Sequence, residues 1–134
     1  MKQIVAAVLL VFLLGCEKDE LEFDYWLPTP EGLAHWEILK VEGERSVNLG
    51  ETLILTVFCP RASGCDIISQ VLSDEHDNRI FIKVFGRTIT DLPCSTAAVP
   101  QIIDYEFTPN KKGIYRLEFI KKDGARIIVP VQVK

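Results

Sequence analysis

Apolar and polar residues follow two different patterns along this chain. Residues 4–14 form an unbroken apolar run, whereas from about residue 35 onward short stretches alternate apolar with polar positions, as in residues 102–108. Turn-forming residues separate these stretches at intervals of roughly 8–12 residues. Alternation places one side of each strand in a core, and such spacing is typical of a β-sandwich or barrel. The pattern therefore predicts an all-β domain over residues 35–134.

The predicted domain has about seven strands. They are residues 36–42 and 46–49, which form one strand split at Gly43, followed by 51–59, 66–73, 79–85, 102–108, 113–121 and 126–133. The polar residues 73–78 predict a turn, and a long loop containing Pro93 and Pro100 follows the fourth strand. The last two strands are predicted to form a hairpin closed by the turn sequence KDG.

Two stretches resemble the immunoglobulin-like fold. VNLGETLILTV has the form of its passage from the first to the second strand, and PNKKGIYRLEF has the form of its tyrosine corner. The resemblance implies an immunoglobulin-like or fibronectin-like antiparallel sandwich, in which Gly113 precedes a buried Tyr115 whose hydroxyl bonds to upstream backbone. Because side chains alternate along a strand, Arg116 and Glu118 are then expected to face solvent.

The N-terminal run is shorter than the roughly 20 residues that a membrane-spanning helix needs, and it has the length of a signal-peptide apolar region. It ends in Leu13-Leu14-Gly15-Cys16, which resembles the lipobox of bacterial lipoproteins. The resemblance implies that residues 1–15 are a lipoprotein signal peptide and that Cys16 carries the lipid, since its thiol forms a stable thioether to a diacylglyceryl group. An ordinary secretory signal with a nearby cysteine is the alternative.

An acidic segment follows this cysteine. Residues 17–24 contain five acidic residues against Lys18 alone, and prolines then interrupt the chain. Such a segment does not pack into a core, so residues 16–34 are predicted to be a flexible tether and linker. A lysine followed by acidic residues just after the lipid-bearing cysteine also resembles the export signal of Bacteroidota surface lipoproteins. This resemblance implies display on the cell surface of the outer membrane; a periplasm-facing anchor is the alternative.

Three cysteines remain: Cys59, Cys65 and Cys94. An exported protein enters an oxidising compartment, in which disulfides form. The predicted strands place all three thiols at one end of the sandwich, but an odd number cannot pair completely. Cys59–Cys65 is the favoured pair because it closes the short loop PRASG, and Cys65–Cys94 is the alternative; the leftover thiol is expected to be buried. A three-thiolate zinc site lacks a nearby fourth ligand, so no metal is predicted.

Charge and aromatic residues offer candidate surfaces. The net charge of −4 argues against nucleic-acid binding. Residues 111–134 hold seven basic residues against two acidic ones. In the predicted fold the acidic first strand lies beside this basic last strand, so their charges are expected to complement each other. Five aromatic residues have flat faces that suit sugar rings, but packing is favoured for them: Tyr25, Trp26, Trp36, Phe81 and Phe85.

No catalytic constellation is evident in the sequence. His35 is expected to be structural, and His76 lies in a polar turn whose oxygen donors match no calcium loop. Paired carboxylates, a nucleophile elbow and a glycine-rich phosphate loop are not evident, so neither an enzyme nor a cofactor is predicted. The leading hypothesis is a lipid-anchored, non-catalytic binding or assembly module that engages a glycan, an envelope protein or a surface-complex partner. A periplasmic inhibitor or immunity-type lipoprotein is the alternative, and a small hydrolase is less favoured.

Overall fold

The computed structural model describes residues 27–91, 93–96 and 99–134 of the chain. The predicted signal peptide, the predicted lipid-attachment residue Cys16 and the acidic residues 17–24 lie outside the described residues. The described part forms nine strands, which are β1 (Ala34–His35), β2 (Lys40–Glu42), β3 (Ser46–Val47), β4 (Leu53–Cys59), β5 (Asp66–His76), β6 (Arg79–Thr88), β7 (Gln101–Phe107), β8 (Gly113–Ile120) and β9 (Arg126–Val133).

Two sheets face each other across the core. The larger contains β5, β6, β8, β9 and β3 in that order, and the smaller contains β2, β4 and β7. β5 takes one edge of β6 along its whole length, so β8 and the short β1 share the other edge. This arrangement is a β-sandwich, which confirms the predicted all-β class. Two pairs in the larger sheet, β6–β8 and β3–β9, are parallel, so that sheet is mixed rather than wholly antiparallel as expected.

A two-residue turn joins β5 to β6. β5 ends at His76 and β6 begins at Arg79, so the turn consists of Asp77 and Asn78. Asp77 has φ of 56°, a left-handed conformation that two-residue hairpins require and that Asp tolerates better than most residues. The predicted polar turn is therefore confirmed, with β5 extending three residues beyond its predicted end at Ser73.

The core lies between the inward faces of the two sheets. Along β4, alternate residues are buried: Leu53, Leu55, Val57 and Cys59. Alternate residues of β8 and β9 meet them from the larger sheet: Tyr115, Leu117, Phe119, Val129, Val131 and Val133. Full burial of each such side chain stabilises the fold by about 1.5–3 kcal/mol, so this alternation sets the register of all three strands.

The outer face of the larger sheet is also partly covered. Leu27 packs there with Phe81 and Ile120 in a second apolar cluster. The chain then forms β1 beside β6, where the Nε2 of His35 donates a hydrogen bond to the backbone oxygen of Ile120 at 3.0 Å. Leu27 and Ala34, which the sequence pattern assigned to the linker, therefore contact the larger sheet. The packing roles expected for His35 and Phe81 are confirmed.

Tyr115 is buried at the start of β8, as the tyrosine-corner resemblance implies. Its side chain is 1% exposed, and its ring meets Phe107 edge-on with 5.1 Å between the ring centroids. The preceding Gly113 has φ of 129°, which favours glycine. The hydroxyl donates to Oδ1 of Asn110 at 3.5 Å and not to backbone, and that distance is long for a hydroxyl hydrogen bond.

Glu118 departs from the expectation that it faces solvent. It is fully buried on the outer face of the larger sheet. The Nε of Arg79 donates to its Oε2 at 2.8 Å, and the Nη1 of Arg126 donates to its Oε1 at 3.0 Å. These side chains cover the carboxylate. Glu118 therefore points outward, as alternation predicts, but it lies in an ion cluster and not in solvent. Arg126, one of the basic residues of 111–134, thus pairs with an acidic residue of the neighbouring strand β8.

Candidate functional site

The candidate site lies at the end of the sandwich where β4, β6 and β8 end and where β5 and β7 begin. We call this end the disulfide pole and define it by the loops 60–65, 89–100 and 121–125. Loops at one end of a rigid sandwich are common locations for binding residues, because the sheets hold them in place. The connection 89–100 is long for an antiparallel sandwich, and loops of this length are usually functional or disordered.

A disulfide joins Cys65 at the start of β5 to Cys94 in the long connection, with 5.3 Å between the Cα atoms. The favoured Cys59–Cys65 pairing is therefore wrong, and the alternative is correct. Cys59 is the last inward-facing residue of β4, so its thiol points into the core rather than toward the loop. It is the free, buried thiol, and burial raises its pKa to about 11.

Hydrogen bonds fasten the long connection over the start of β5. The amide of Gly64 donates to the backbone oxygen of Ser95 at 3.0 Å, and the Nε of Arg61 donates to the backbone oxygen of Val99 at 2.8 Å. At the end of the connection, the side-chain amide of Gln101 accepts from and donates to the backbone of Ile68, which links the two sheets. Together with the disulfide, these contacts hold Cys94, Ser95 and Val99 against the loop 60–65.

The same pole contains an open cleft of about 380 Å³, which the loop 60–65 helps to line. Its lining residues come from four segments of the chain: Trp36, Glu37, Pro60, Ala62, Asp66, Thr88 and Lys122. The cleft therefore depends on how these four segments pack together. Trp36 supplies its aromatic surface, and this side chain is half-buried.

Trp36 is held by both its backbone and its ring. Its amide donates to the backbone oxygen of Val84 at 2.8 Å, and its indole Nε1 donates to the backbone oxygen of Pro60 at 2.7 Å. Gly86 gives the ring room, because a Cβ at that position would lie 3.0 Å from the indole and 2.7 Å from the backbone oxygen of Ile67. The indole is thus pre-positioned, which reduces the entropy lost when a ligand binds.

Asp66 forms the polar floor of the cleft. It is 4% exposed and accepts hydrogen bonds from the Thr88 hydroxyl and from the amide of Ala62, both at 2.6 Å. The Thr88 hydrogen bond first, and the Ala62 amide second, lower the pKa of Asp66 in spite of its burial. At neutral pH the group is an anion with its position fixed by its partners, so it can orient Thr88 but cannot act as a general acid.

Glu37 and Lys122 form the rim. Oε1 of Glu37 accepts hydrogen bonds from the amides of Ile38 at 2.9 Å and Lys122 at 3.3 Å, so it ties the β8–β9 turn to the segment after β1. Lys122 is exposed and contributes a cationic residue to the lining of the cleft. An aromatic surface with a hydroxyl and an ammonium group at its edge is suited to binding a polar ring-shaped ligand.

The sequence singled out Trp36 and the three cysteines of this pole, but not Asp66 or Thr88. Asp66 is the first residue of β5 and is buried, and a buried carboxylate needs internal hydrogen-bond donors. The need for such donors could have marked Asp66 as a site residue, but it does not identify Thr88 or Ala62 as the donors. His76 lies at the opposite end of the sandwich, where its Nε2 is 2.8 Å from Oδ2 of Asp74.

Three further findings bear on function. In the described part of the chain, no group of three or more His, Cys, Asp or Glu side chains could hold a metal ion. Within residues 27–91, 93–96 and 99–134, no helix is long and apolar enough to cross a membrane. No protein family, curated protein or solved structure matches the chain.

Proposed function

We propose that this chain is a lipid-anchored, non-catalytic binding module of the bacterial outer membrane, and that the cleft at the disulfide pole binds its ligand. The observation that carries the site is the pre-positioned Trp36 beside a disulfide-fastened loop. The lipobox resemblance of Cys16 supports the anchor, and the segment after it supports display on the cell surface. The ligand class that best fits the cleft is a glycan, because sugar rings present an apolar face together with hydroxyl groups.

The chemistry of the cleft supports binding rather than turnover. Its one buried carboxyl group, Asp66, is bonded to Thr88 and Ala62, and its lowered pKa keeps it ionised. A glycosidase that uses two carboxyl groups needs one of them protonated as a general acid. Glu37, the second carboxyl group of the cleft, is bonded to two backbone amides. Both groups therefore act in the fold as acceptors.

The domain is also proposed to be immunoglobulin-like. Support comes from the buried Tyr115 behind Gly113 and from β3, which lies beside β9 as the first strand does beside the last in that fold. The parallel β6–β8 pair is a departure from the wholly antiparallel sandwich that was expected.

Binding of the purified full-length chain to an array of neutral and acidic oligosaccharides tests the cleft. Trp36→Phe removes the Nε1 donor and part of the ring surface, and Lys122→Ala removes the rim cation. Both variants should bind more weakly than the native chain. Lys112→Ala is the matched control, since Lys112 is exposed in the β7–β8 connection at the opposite end. Equal binding by all four proteins would remove the cleft from the proposal.

Two cellular experiments test the anchor and the side of the membrane. Cys16→Ser should yield an unlipidated precursor that no longer fractionates with the outer membrane, because the thioether cannot form. Protease added to intact cells should degrade the native chain if it is surface-displayed. Protection from the protease until the outer membrane is opened would instead favour the periplasmic inhibitor or immunity-type alternative.

A further inference from the structure

The strand β7 forms one edge of the smaller sheet. It pairs with β4 over all seven of its residues, and within the described ranges no strand pairs with its other side. The amide of Leu39 donates to the backbone oxygen of Phe58, so Phe58 directs its backbone groups toward β2 and away from β7. Ile102 lies opposite Phe58, and backbone groups alternate in direction along a strand. Ile102, Asp104 and Glu106 therefore direct their N–H and C=O groups to the open edge.

The same three residues direct their side chains to solvent. Ile102 is 57% exposed, and Asp104 and Glu106 are exposed as well. In the part of the chain that the structure describes, neither carboxylate forms an ion pair or a side-chain hydrogen bond. Lys40, on the same outer face, is engaged by Glu42 at 2.9 Å. The edge thus combines free backbone hydrogen-bonding groups with two carboxylates that have no cationic partner among the described residues.

The other long edge strands carry features that oppose pairing. In β9 the amide of Gln132 donates to Arg45, just before β3, so Pro130 directs its nitrogen to the same edge, where it has no N–H to donate. In β5 a bulge follows Ile68, and the side chain of Gln101 already bonds both backbone groups of Ile68. β7 has no proline, and its pairing with β4 has no bulge. A regular, exposed strand edge of this kind is a template for an added strand.

The carboxylates determine which strand can add here. Side chains directly opposite each other in an antiparallel pair share a face, where opposite charges stabilise the pair and like charges destabilise it. A second copy of β7 centred on Asp104, the register that uses all three edge residues, would place that carboxylate against its own counterpart. A strand with basic residues at alternate positions would instead place one cation opposite Asp104 and another opposite Glu106. Charge therefore disfavours self-pairing and favours a basic partner.

We propose that β7 is a docking edge for an extended, basic segment of another protein, which adds antiparallel to β7 as a fourth strand of the smaller sheet. The backbone groups of Ile102, Asp104 and Glu106 form the new hydrogen bonds. Basic side chains of the partner lie opposite the two carboxylates, and the apolar side chains between them lie on the inner side, beside the half-buried residues of β7. No residue of β7 lines the Trp36 cleft, so this surface is separate from it.

The probe is a synthetic peptide as long as β7 in which lysine alternates with valine, added to the full-length chain in a non-ionic detergent. The lysines are the residues that share a face with Asp104 and Glu106, so in the added strand their amides face β7 and the valine amides face away. Methylation of the lysine backbone nitrogens should therefore abolish binding, whereas methylation of the valine nitrogens should leave it unchanged. These two peptides have the same charge and composition, so they distinguish strand addition from general electrostatic attraction.

Hydrogen exchange and matched variants locate the bound peptide. The edge amides of β7, those of Ile102, Asp104 and Glu106, should exchange more slowly when the peptide is bound. The double variant Asp104→Asn with Glu106→Gln should bind the peptide about five- to tenfold more weakly, the effect expected for two cross-strand charge pairs. Both residues are exposed, so this variant should fold. Glu44→Gln with Glu51→Gln is the matched control, because it removes the same charge from exposed loop residues.

Several outcomes would overturn the proposal. They are the absence of saturable binding by the alternating peptide, equal binding of the two methylated peptides, and equal binding of the peptide by the two double variants. Slow exchange of the edge amides in the free chain would also overturn it. Protection that grows with chain concentration would assign the edge to a second copy, and protection independent of concentration would assign it to another part of the same chain.

Discussion

Replacing Glu118 by glutamine should be among the most damaging single changes on the outer face of the sandwich. The carboxylate receives three hydrogen bonds from Arg79 and Arg126. Hydrogen bonds to charged groups contribute about 1.5–3 kcal/mol each, and removing one partner of a buried ion pair costs about 3–5 kcal/mol. Glutamine keeps one acceptor, and the partly exposed arginines can be rehydrated, so we expect a loss of about 2–4 kcal/mol. This is a large part of the roughly 5–15 kcal/mol that stabilises a typical domain.

The assay is urea unfolding, with Arg116→Gln as the control. Arg116 is half-exposed and forms only a long ion pair, so its replacement should cost less than about 1 kcal/mol. The pH dependence provides a second readout. Burial alone would raise the pKa of Glu118, but the hydrogen bonds from Arg79 and Arg126 and the nearby positive charges lower it overall. The stabilisation is therefore present above the unfolded-state pKa, about 4.3, and is lost as the pH falls through the lower folded-state pKa.

The native chain and Glu118→Gln should thus converge in stability in acid. The reasoning is refuted if Arg116→Gln is the more damaging change at neutral pH, or if the difference between the native chain and Glu118→Gln is the same in acid as at neutral pH.

Three other predictions concern the core, the free thiol and the tether. Tyr115→Ala should cost about 3–5 kcal/mol in denaturant melts because it leaves a cavity, whereas Tyr115→Phe should cost less than about 1 kcal/mol because its hydrogen bond is long; equal losses would contradict this. Because burial raises the pKa of Cys59 to about 11, the folded state retains the thiol proton to higher pH than the unfolded chain, whose thiol titrates near about 8.5. The free energy of unfolding should therefore fall as the pH rises from about 8.5 to about 11. For Cys59→Ala the free energy of unfolding should fall less steeply over the same pH range; parallel curves would argue against a buried thiol. Replacing Lys18, Asp19 and Glu20 by alanine should keep the lipid but reduce labelling by an antibody on intact cells, and unchanged labelling would remove the export-signal interpretation.

The inward faces of the strands could be predicted because alternation reports which side of a strand meets the core. The sequence VNLGETLILTV places Leu53, Leu55 and Val57 on one side, and all three are buried. The burial of Tyr115 was implied by the tyrosine-corner resemblance, and that side chain is buried as well. These residues need only a partner sheet of any topology, so a one-dimensional pattern is sufficient to identify them.

The outer face of the larger sheet could not be predicted in the same way. Glu118 is buried by Arg79, which lies on a strand 39 residues away, and nothing near Glu118 in the sequence identifies that partner. One signal was present in β6, where Phe81 and Phe85 alternate with Ile80 and Ile82. A strand that is apolar on both sides is covered on both sides. Leu27 provides part of that cover. It lies in the segment that was predicted to be a linker because of its prolines.

The disulfide shows how strand alternation can outweigh loop length. Cys59 and Cys65 are close in sequence, and a short loop made their pairing attractive. However, Cys59 continues the inward series of β4, so its thiol belongs to the core, whereas Cys65 lies outside that strand near the returning chain. The Trp36 cleft was also only partly predictable, because its lining residues come from four segments that are far apart in the sequence.

We propose above all that this domain is held at the membrane by lipid on Cys16. The most direct test is the intact mass of the mature chain purified from membranes. We predict a chain that begins at Cys16 and is heavier than its peptide mass by a diacylglyceryl group and an acyl group on the new amino terminus. A mature chain that begins elsewhere, or that carries an unmodified Cys16, would contradict the account.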